Sequence, residues 1–381
     1  MNKLPRFKSH TDNSFFGDFL YDQVIPKNHF LRKAKEVIDW SRFTDRILVW
    51  YQGNGTVGRP PYEPSEMLRM LFLSFIYNIS ETQIEERVNM DLAFKYFVGL
   101  GVDELAPDHS SLTKLKNRLL SGAGKSAFDQ LLREILHQAK ELGIIFGSIQ
   151  IIDSVHTLSD VNTDKDRSRQ SKQNKSPRDP DAKWGNKGDK KFKDPKIGET
   201  KKLPQWFHGF KTHASYNEQA RLVTSVASTA GNVYDGDLLP TLVNKDNFTP
   251  VPRKRTYAGD KAYDDGENHE ILKDKNLGDA LRLKKTRTEK KNPNKAPWLK
   301  LQATKEYKEG LKVRYKIEQK FGEGKNGHGL RRCRYLGEKK YHLQACLTAI
   351  SLNLKVVVSQ ITGSTLKGYG YNNSSIRLSP T

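Results

Sequence analysis

Ile144-Ile145-Phe146-Gly147-Ser148-Ile149-Gln150-Ile151-Ile152-Asp153 carries an apolar run that ends on a carboxylate. Short β-branched runs of this kind predict a strand buried within an α/β sheet. A carboxylate at the end of such a strand lies at the sheet's edge, where ligands collect in α/β folds. Downstream, His208 to Ser215 and Leu222 to Ser228 flank Asn217-Glu218-Gln219-Ala220 and predict a hairpin.

The remaining elements follow in a regular order. Asp235 to Val243 reads as a helix, Arg255 to Ala258 as a short strand running into Gly259-Asp260, and Asp264 to Lys275 as a helix. Ala280 to Leu283 predicts another strand, and residues 284–300 a basic loop. Lys305 to Phe321 predicts a long helix and Leu343 to Val358 an apolar one. Strand, hairpin, helix, strand, helix, strand, helix is the order of an α/β domain with a mixed sheet. Residues 145–360 thus have the element order of a ribonuclease H-like fold.

Residues 1–125 read as an all-helical N-terminal domain. Pro64 to Ser80 (PSEMLRMLFLSFIYNIS) predicts a helix buried on most sides. Ser80-Glu81-Thr82-Gln83 has the form of a capping box, opening a helix that carries Ile84 and Val88 inward. Pro107-Asp108-His109-Ser110-Ser111 is a start signal before the basic helix Leu112 to Leu120. Short helices with tight breaks suit either helix-turn-helix DNA binding or a bundle that packs or dimerises. In the polar stretch 160–202, 14 of 43 positions are Lys or Arg and 8 are Asp or Glu. That excess of basic residues, with almost no apolar content, predicts a long or partly disordered loop inserted in the α/β domain. Residues 363–381 read as a polar tail.

Composition narrows the partner. With 65 Lys+Arg against 44 Asp+Glu, the formal charge is +21 and the pI near 9.7. Such an excess calls for a polyanion. The longest apolar contender for a membrane span, Met67 to Ile79, is broken by Arg69, Ser74, Tyr77 and Asn78, and no signal peptide is visible. Two cysteines, Cys333 and Cys346, without metal-ligand spacing fit a reducing cytosol. A soluble, cytoplasmic, nucleic-acid-directed protein is expected, with no membrane partner.

Three acids stand out by position: Asp153 and Asp260 after core strands, and Glu318 midway along a helix. Two strand-end carboxylates and one helical one could converge into an oxygen-rich site for Mg²⁺, with Mn²⁺ as the alternative. Such a site suits in-line displacement at phosphorus, where two metals stabilise the attacking and leaving oxygens and no Ser or Tyr nucleophile is needed. Taken singly, a strand-end Asp is usually a turn or cap residue and a helical Glu is usually solvated. His156, three residues after Asp153, is closer to a structural histidine, as are His208 and His213. The basic stretch 282–291, with Arg282, Lys284 and Lys285, follows a core strand, a place for DNA-backbone contact, with a solvated face as the alternative. Trp298, Tyr257 and Tyr263 read first as packing residues, with base stacking as the alternative.

The chain resembles DDE transposases of bacterial insertion sequences, in the group named after insertion sequence five. The likeness rests on Gly58 to Pro64 (GRPPYEP), Ser80 to Glu86 (SETQIEE), Phe94 to Leu100 and Pro107 to Leu112 in the helical half. In the other half it rests on Asp153-Ser154, Asp179 to Trp184 (DPDAKW), Gly209 to His213 (GFKTH), Gly259 to Tyr263 (GDKAY), Arg314-x₃-Glu318-x₆-Lys325 and Arg331 to Gly337 (RRCRYLG). The resemblance implies that Asp153, Asp260 and Glu318 are catalytic and hold the metal, with Phe321-Gly322 ending the helix before Lys325. It also implies double-stranded DNA as partner, both terminal inverted repeats and target, with Arg314, Lys325 and Lys261 among the DNA contacts. Cleavage and 3′-end transfer would require a homodimer or higher oligomer on DNA. The family pattern often has Tyr three residues before the Arg; here that position is Leu311, with Tyr307 a turn earlier. The alternative is a DNA-binding protein derived from a transposase that no longer transposes.

Overall fold

The computed structural model describes residues 7, 15–50, 60–193, 200–246 and 254–366. Gly58-Arg59 and the tail beyond residue 366 lie outside the described residues. Eight helices come first: α1 (Phe15–Val24), α2 (Phe30–Val37), α3 (Ser41–Leu48), α4 (Pro64–Ile76), α5 (Glu81–Met90), α6 (Leu92–Val98), α7 (His109–Ala123) and α8 (Ser126–Glu141). Every residue of α4 is buried, as its near-continuous apolar sequence demands. Ser80 and Gln83 form the reciprocal capping box of α5, and Asp108 caps α7.

The second half holds β1 (Ile149–Leu158), α9 (Thr163–Gln173), β2 (Lys183–Lys193), β3 (Thr200–Asn217) and β4 (Leu222–Ala230). Then come α10 (Leu239–Lys245), β5 (Thr256–Gly259), α11 (Gly266–Asp274) and β6 (Gly278–Leu281). The chain continues with α12 (Lys285–Thr288), α13 (Lys295–Ala303), α14 (Lys305–Val313), α15 (Tyr315–Gly327) and α16 (Glu338–Thr362). An antiparallel meander β4-β3-β1 is continued by β5 and β6, both parallel to β1, while β2 extends the N-terminal part of β3. This is the mixed sheet of a ribonuclease H-like domain.

Strand β1 shows why its sequence is uniformly apolar. Ile151 belongs to the core that contains α4, α8 and α16, and Ile152 to the core under α10 and α11. Successive strand residues point to opposite faces, so covering both faces requires both to be apolar. The first of these cores runs without interruption from Phe30 in α2 to Val358 in α16. Both cysteines are free and buried in cores.

Helix α16 is by length and composition apolar enough to cross a bilayer, more so than Met67 to Ile79, yet 72% of its apolar window is buried inside the protein. Its N-terminus is held by the Asp179 to Trp184 run: Gly337 N donates to Asp179 Oδ2 (3.2 Å) and Glu338 N to Asp181 Oδ2 (3.0 Å). Those carboxylates satisfy helix-end amides and oppose the positive end of the dipole.

Three expectations change. The stretch 160–202 is not simply a loop: it holds α9, β2 and the start of β3. No residue of α9 is buried, and the ribbon beyond Gly185 is exposed along its described side chains, so hydrophobic periodicity could not reveal them. Residues 284–300 contain α12 and most of α13 rather than a loop. The helix expected over 305–321 is two helices meeting at Arg314, and Phe321-Gly322 does not end the second. Helix α15 runs on past Gly322 to Gly327, and a Cβ on Gly324 would lie 3.3 Å from Leu330 and 3.4 Å from Thr348 of α16, so that glycine serves close packing.

Gly310 fixes α14 on the sheet. A Cβ there would come within 2.6 Å of Ala280 Cβ and 3.1 Å of Ala258 Cβ. Gly310→Val should therefore push α14 off β5 and β6 and cost roughly 1–3 kcal/mol by overpacking, read from denaturant midpoints. Unchanged stability would show that the contact is not tight.

Candidate active site

The parallel ladder between β1 and β5 pairs Ile149 with Thr256, Gln150 with Tyr257 and Ile151 with Ala258. Two residues further along each strand stand Asp153 and Asp260, where the two chains part. Asp153 is not at the end of its strand: β1 runs on to Leu158, paired with β3, and Asp153 sits opposite Ala214. What ends there is the parallel neighbour, which opens the edge beside Asp153. Asp153 Oδ1 accepts from Ser154 N (2.8 Å), and Asp260 Oδ1 accepts from Ala262 N (2.8 Å), so local backbone fixes both carboxylates.

Glu318 lies in the first turn of α15 with its side chain 55% exposed. Arg314, one turn earlier, reaches both acids: Nη2 is 2.9 Å from Glu318 Oε1 and Nη1 is 3.7 Å from Asp153 Oδ2. The close seat of Gly310 on β5 and β6 aims the junction between α14 and α15 at β1. Burial, with Asp260 and Glu318 nearby, lifts the Asp153 carboxyl to about 7 despite Arg314 and its backbone hydrogen bond. Three acids thus share a partly desolvated site in which one is disfavoured as an anion until positive charge arrives.

Tyr263 adds to this picture. Its hydroxyl is buried without a hydrogen-bond partner among the described residues. Burial, then the charges of Asp153, Asp235 and Asp260, raise it well above the ordinary tyrosine range. Asp235 was not singled out by sequence reading; the only hint was its acidic turn Asp235-Gly236-Asp237 after the hairpin. Lys211 Nζ holds Asp235 at 2.8 Å.

Lys325 lies within α15 rather than beyond it, eleven residues after Arg314 and seven after Glu318, so all three share a helical stripe. Its ammonium is 3.4 Å from His156 Nε2. Burial and then Lys325, Lys187 and Lys211 push the His156 imidazole down to about 4, so it is neutral at pH 7. Lys261 and Arg282 are exposed at the edge occupied by Asp260; Arg282 N donates to Gly259 O at 3.0 Å. Lys284 is tied inward, its ammonium donating to Asp264 O (2.9 Å), while Lys285 is exposed on α12.

The other polar candidates serve the fold. His208 bonds Ser159 (2.7 Å) and His213 bonds Thr229 (2.9 Å). Tyr257 and Tyr263 are fully buried, and Trp298 packs against His269 beneath the Arg287 guanidinium. Tyr307 is buried with its hydroxyl accepting from Leu283 N (3.2 Å), and Leu311 packs against the same small core. Asp129, His342 and Cys346 bring ligand-type atoms within 4.8 Å of one another, a grouping the sequence did not reveal. The Lys245 ammonium already lies 2.8 Å from Asp129 Oδ2, so the group is a satisfied ion-pair network joining α8, α10 and α16.

His269 gives a pH-dependent test of the scaffold. Burial pushes its imidazole down, but bonds to Asp279 and Asp264 outweigh this, and the net shift is upward from 6.5. The stabilisation is fully present below the unfolded value and is lost as pH rises through the raised folded value. His269→Gln should accordingly cost more stability at pH 6 than at pH 9, measured by denaturant midpoints. Equal losses at both would contradict the protonated bridge.

The model for "Transposase domain (DUF772)" matches residues 19–118, and that for "Transposase DDE domain" matches residues 148–354. Among solved structures, the chain is similar to a piggyBac transposase synaptic complex with hairpin DNA, at 9% identity and a TM-score of 0.39. That alignment covers 94% of this chain and 78% of the other, a likeness too distant to support inference. The DDE match takes in more than half of the 381 residues, all three clustered acids and the whole mixed sheet. The chain belongs to the family of transposases with a DDE catalytic domain.

Proposed function

We propose that the protein is the transposase of an insertion sequence in the group named after insertion sequence five, acting in the bacterial cytoplasm at the nucleoid. It binds the element's terminal inverted repeats, cleaves there, and transfers the 3′ ends to target DNA. The observation that carries this reading is the placement of Asp153, Asp260 and Glu318 around one open sheet edge, with Arg314 reaching Asp153 and Glu318.

The donor set fits a hard divalent cation, Mg²⁺ or Mn²⁺: three carboxylates, no thiolate or imidazole among them, and a buried Tyr263 hydroxyl left unpartnered close by. Asp153, Asp260 and Glu318 would hold it. When bound, such ions supply a deprotonated oxygen nucleophile and neutralise charge on the leaving oxygen. The chain's own residues then position the substrate. Arg314 keeps Glu318 and Asp153 in place and is free to fork onto a phosphate when a cation takes over that task. Lys325, Lys261, Arg282 and Lys285 offer ammonium or guanidinium groups to neighbouring phosphates, and neutral His156 leaves Lys325 available.

A duplex carrying the DNA that flanks this reading frame tests the proposal. With Mg²⁺ the protein should cut at the boundary of inverted repeats and leave 3′-hydroxyl ends; EDTA should stop it. Cutting that persists in EDTA, or in the Asp260→Ala protein, contradicts the assignment. Two ends must be held together for transfer, so sizing with end DNA should show at least two chains per complex. One chain per duplex throughout would contradict this.

A further inference from the structure

Beyond Gly185 and Phe207, β2 and β3 leave the rest of the sheet and continue as a two-stranded ribbon. An isolated two-stranded ribbon is marginal in water, and one solvated on both faces gains little from burial. Within residues 183–191 and 202–207, five lysines stand against a single aspartate. Large apolar side chains are interleaved with them: Trp184 is 48% exposed, Leu203 55% and Trp206 58%.

Register sorts these residues by face. Trp184 pairs with His208, Asn186 with Trp206, and Lys191 with Lys202. Opposed residues share a face, as do residues two or four apart on one strand. Counted along β3, across the register shift between Asn186 and Asp189, Trp184, Trp206, Lys202 and Lys191 lie on one side, aromatic near the sheet and cationic toward the tip, while Lys190, paired with Leu203, adds a third cation on the other side. At the ribbon's base the opposite side meets the catalytic region: Lys187 stands 5.8 Å over the Phe207 ring, and Phe207 packs 5.0 Å from the ring of His156, the neighbour of Lys325.

We propose that this β2–β3 ribbon is a duplex-DNA-binding arm that lies in the major groove beside the cleavage site, a role that rests on the function proposed above. A two-stranded ribbon fits the major groove, about 12 Å wide. Charge complementarity selects the polyanion, and the flat Trp faces supply apolar contact to sugars and base edges. A-form RNA, whose major groove is deep and narrow, does not admit it. Ala214, level with Asp153, lies seven residues from Phe207 on β3. At about 3.3 Å per residue that is at most roughly 23 Å. The arm's base therefore meets DNA up to about seven base pairs from the scissile phosphate, at 3.4 Å per step.

The test uses the full chain and a labelled 40-base-pair duplex of arbitrary sequence, with duplex RNA of the same length as competitor. Lys190, Lys191 and Lys202 changed together to Ala should weaken binding at least tenfold at 0.15 M NaCl. The slope of log affinity against log salt should fall by about 2–3, near 0.9 per lost phosphate contact. The matching Arg triple should retain wild-type slope, and Trp206→Ala should lower affinity with the slope unchanged. An Ala triple that keeps wild-type affinity and slope overturns the arm, and so does preference for duplex RNA. If that triple behaves as wild type while Asp260→Ala abolishes cleavage, only the arm is wrong. A wild-type chain without salt-dependent affinity for duplex DNA overturns arm and function together.

Discussion

Asp153→Asn protein is expected to cut element-end DNA at least 10³-fold more slowly than wild type, with duplex affinity held within about threefold. The substitution is nearly isosteric, and its amide oxygen can still accept from Ser154 N, as Asp153 Oδ1 does at 2.8 Å. What it removes is the negative charge at the centre of the cluster, the charge through which Asp260, Glu318 and Arg314 are coupled. A factor of 10³ corresponds to about 4 kcal/mol of transition-state stabilisation, the scale expected for weakening one cation-binding carboxylate. Affinity should survive because it comes from lysines and arginines spread along the surface, and removing one half-buried acid does not weaken them. Cleavage within tenfold of wild type would remove Asp153 from the site; a parallel loss of affinity would give it a structural role instead.

Arg334→Ala is expected to destabilise the protein by about 3 kcal/mol, the scale of losing several hydrogen bonds from a charged, half-buried donor together with its packing. The guanidinium crosses from the catalytic half to the end of α4. Nη1 donates to Ile79 O (3.1 Å), and Nη2 to Ser74 O (3.2 Å) and Asn78 Oδ1 (2.9 Å). Its plane lies 4.2 Å from the centroid of the Phe75 ring. Ser74 O also accepts from Ile79 N (3.0 Å), so the arginine adds a second donor there and itself donates to Ile79 O and Asn78 Oδ1 just past the end of α4. Arg334→Lys should recover less than half of the loss, since an ammonium cannot reproduce the fork. Urea midpoints decide the matter, and a loss under about 0.5 kcal/mol would show that water replaces the arginine without cost.

The strands of the core and most of its helices were legible because burial imposes a period. Ile151 and Ile152 face two different cores, so β1 had to be apolar at both, and the Ser80–Gln83 box announced α5 through its own hydrogen bonds. The ribbon was illegible for the converse reason. Its strands are held by cross-strand backbone bonds, which depend little on side-chain type, and its exposed faces place no demand for apolar residues. The spacing of Arg314 and Glu318 disclosed a shared helical face, but Phe321-Gly322 read as a stop before Lys325, whereas α15 continues and packs Gly324 against Leu330 and Thr348. Asp235 and the Tyr263 hydroxyl were hidden because their closeness to Asp153 depends on long-range folding and on no local pattern. The resemblance to DDE transposases, more than spacing, linked three separate acids before any geometry was known.

Iron mapping of the intact chain tests most directly whether Asp153, Asp260 and Glu318 form one cation site, without relying on catalysis. Fe²⁺ with ascorbate and peroxide cuts polypeptide close to the bound ion. Fragments should end near residues 153, 260 and 318 together, fade as Mg²⁺ is added, and vanish in the Asp153→Ala and Asp260→Ala proteins. Cuts elsewhere, or cuts at those positions that persist in both variants, would contradict a shared metal site.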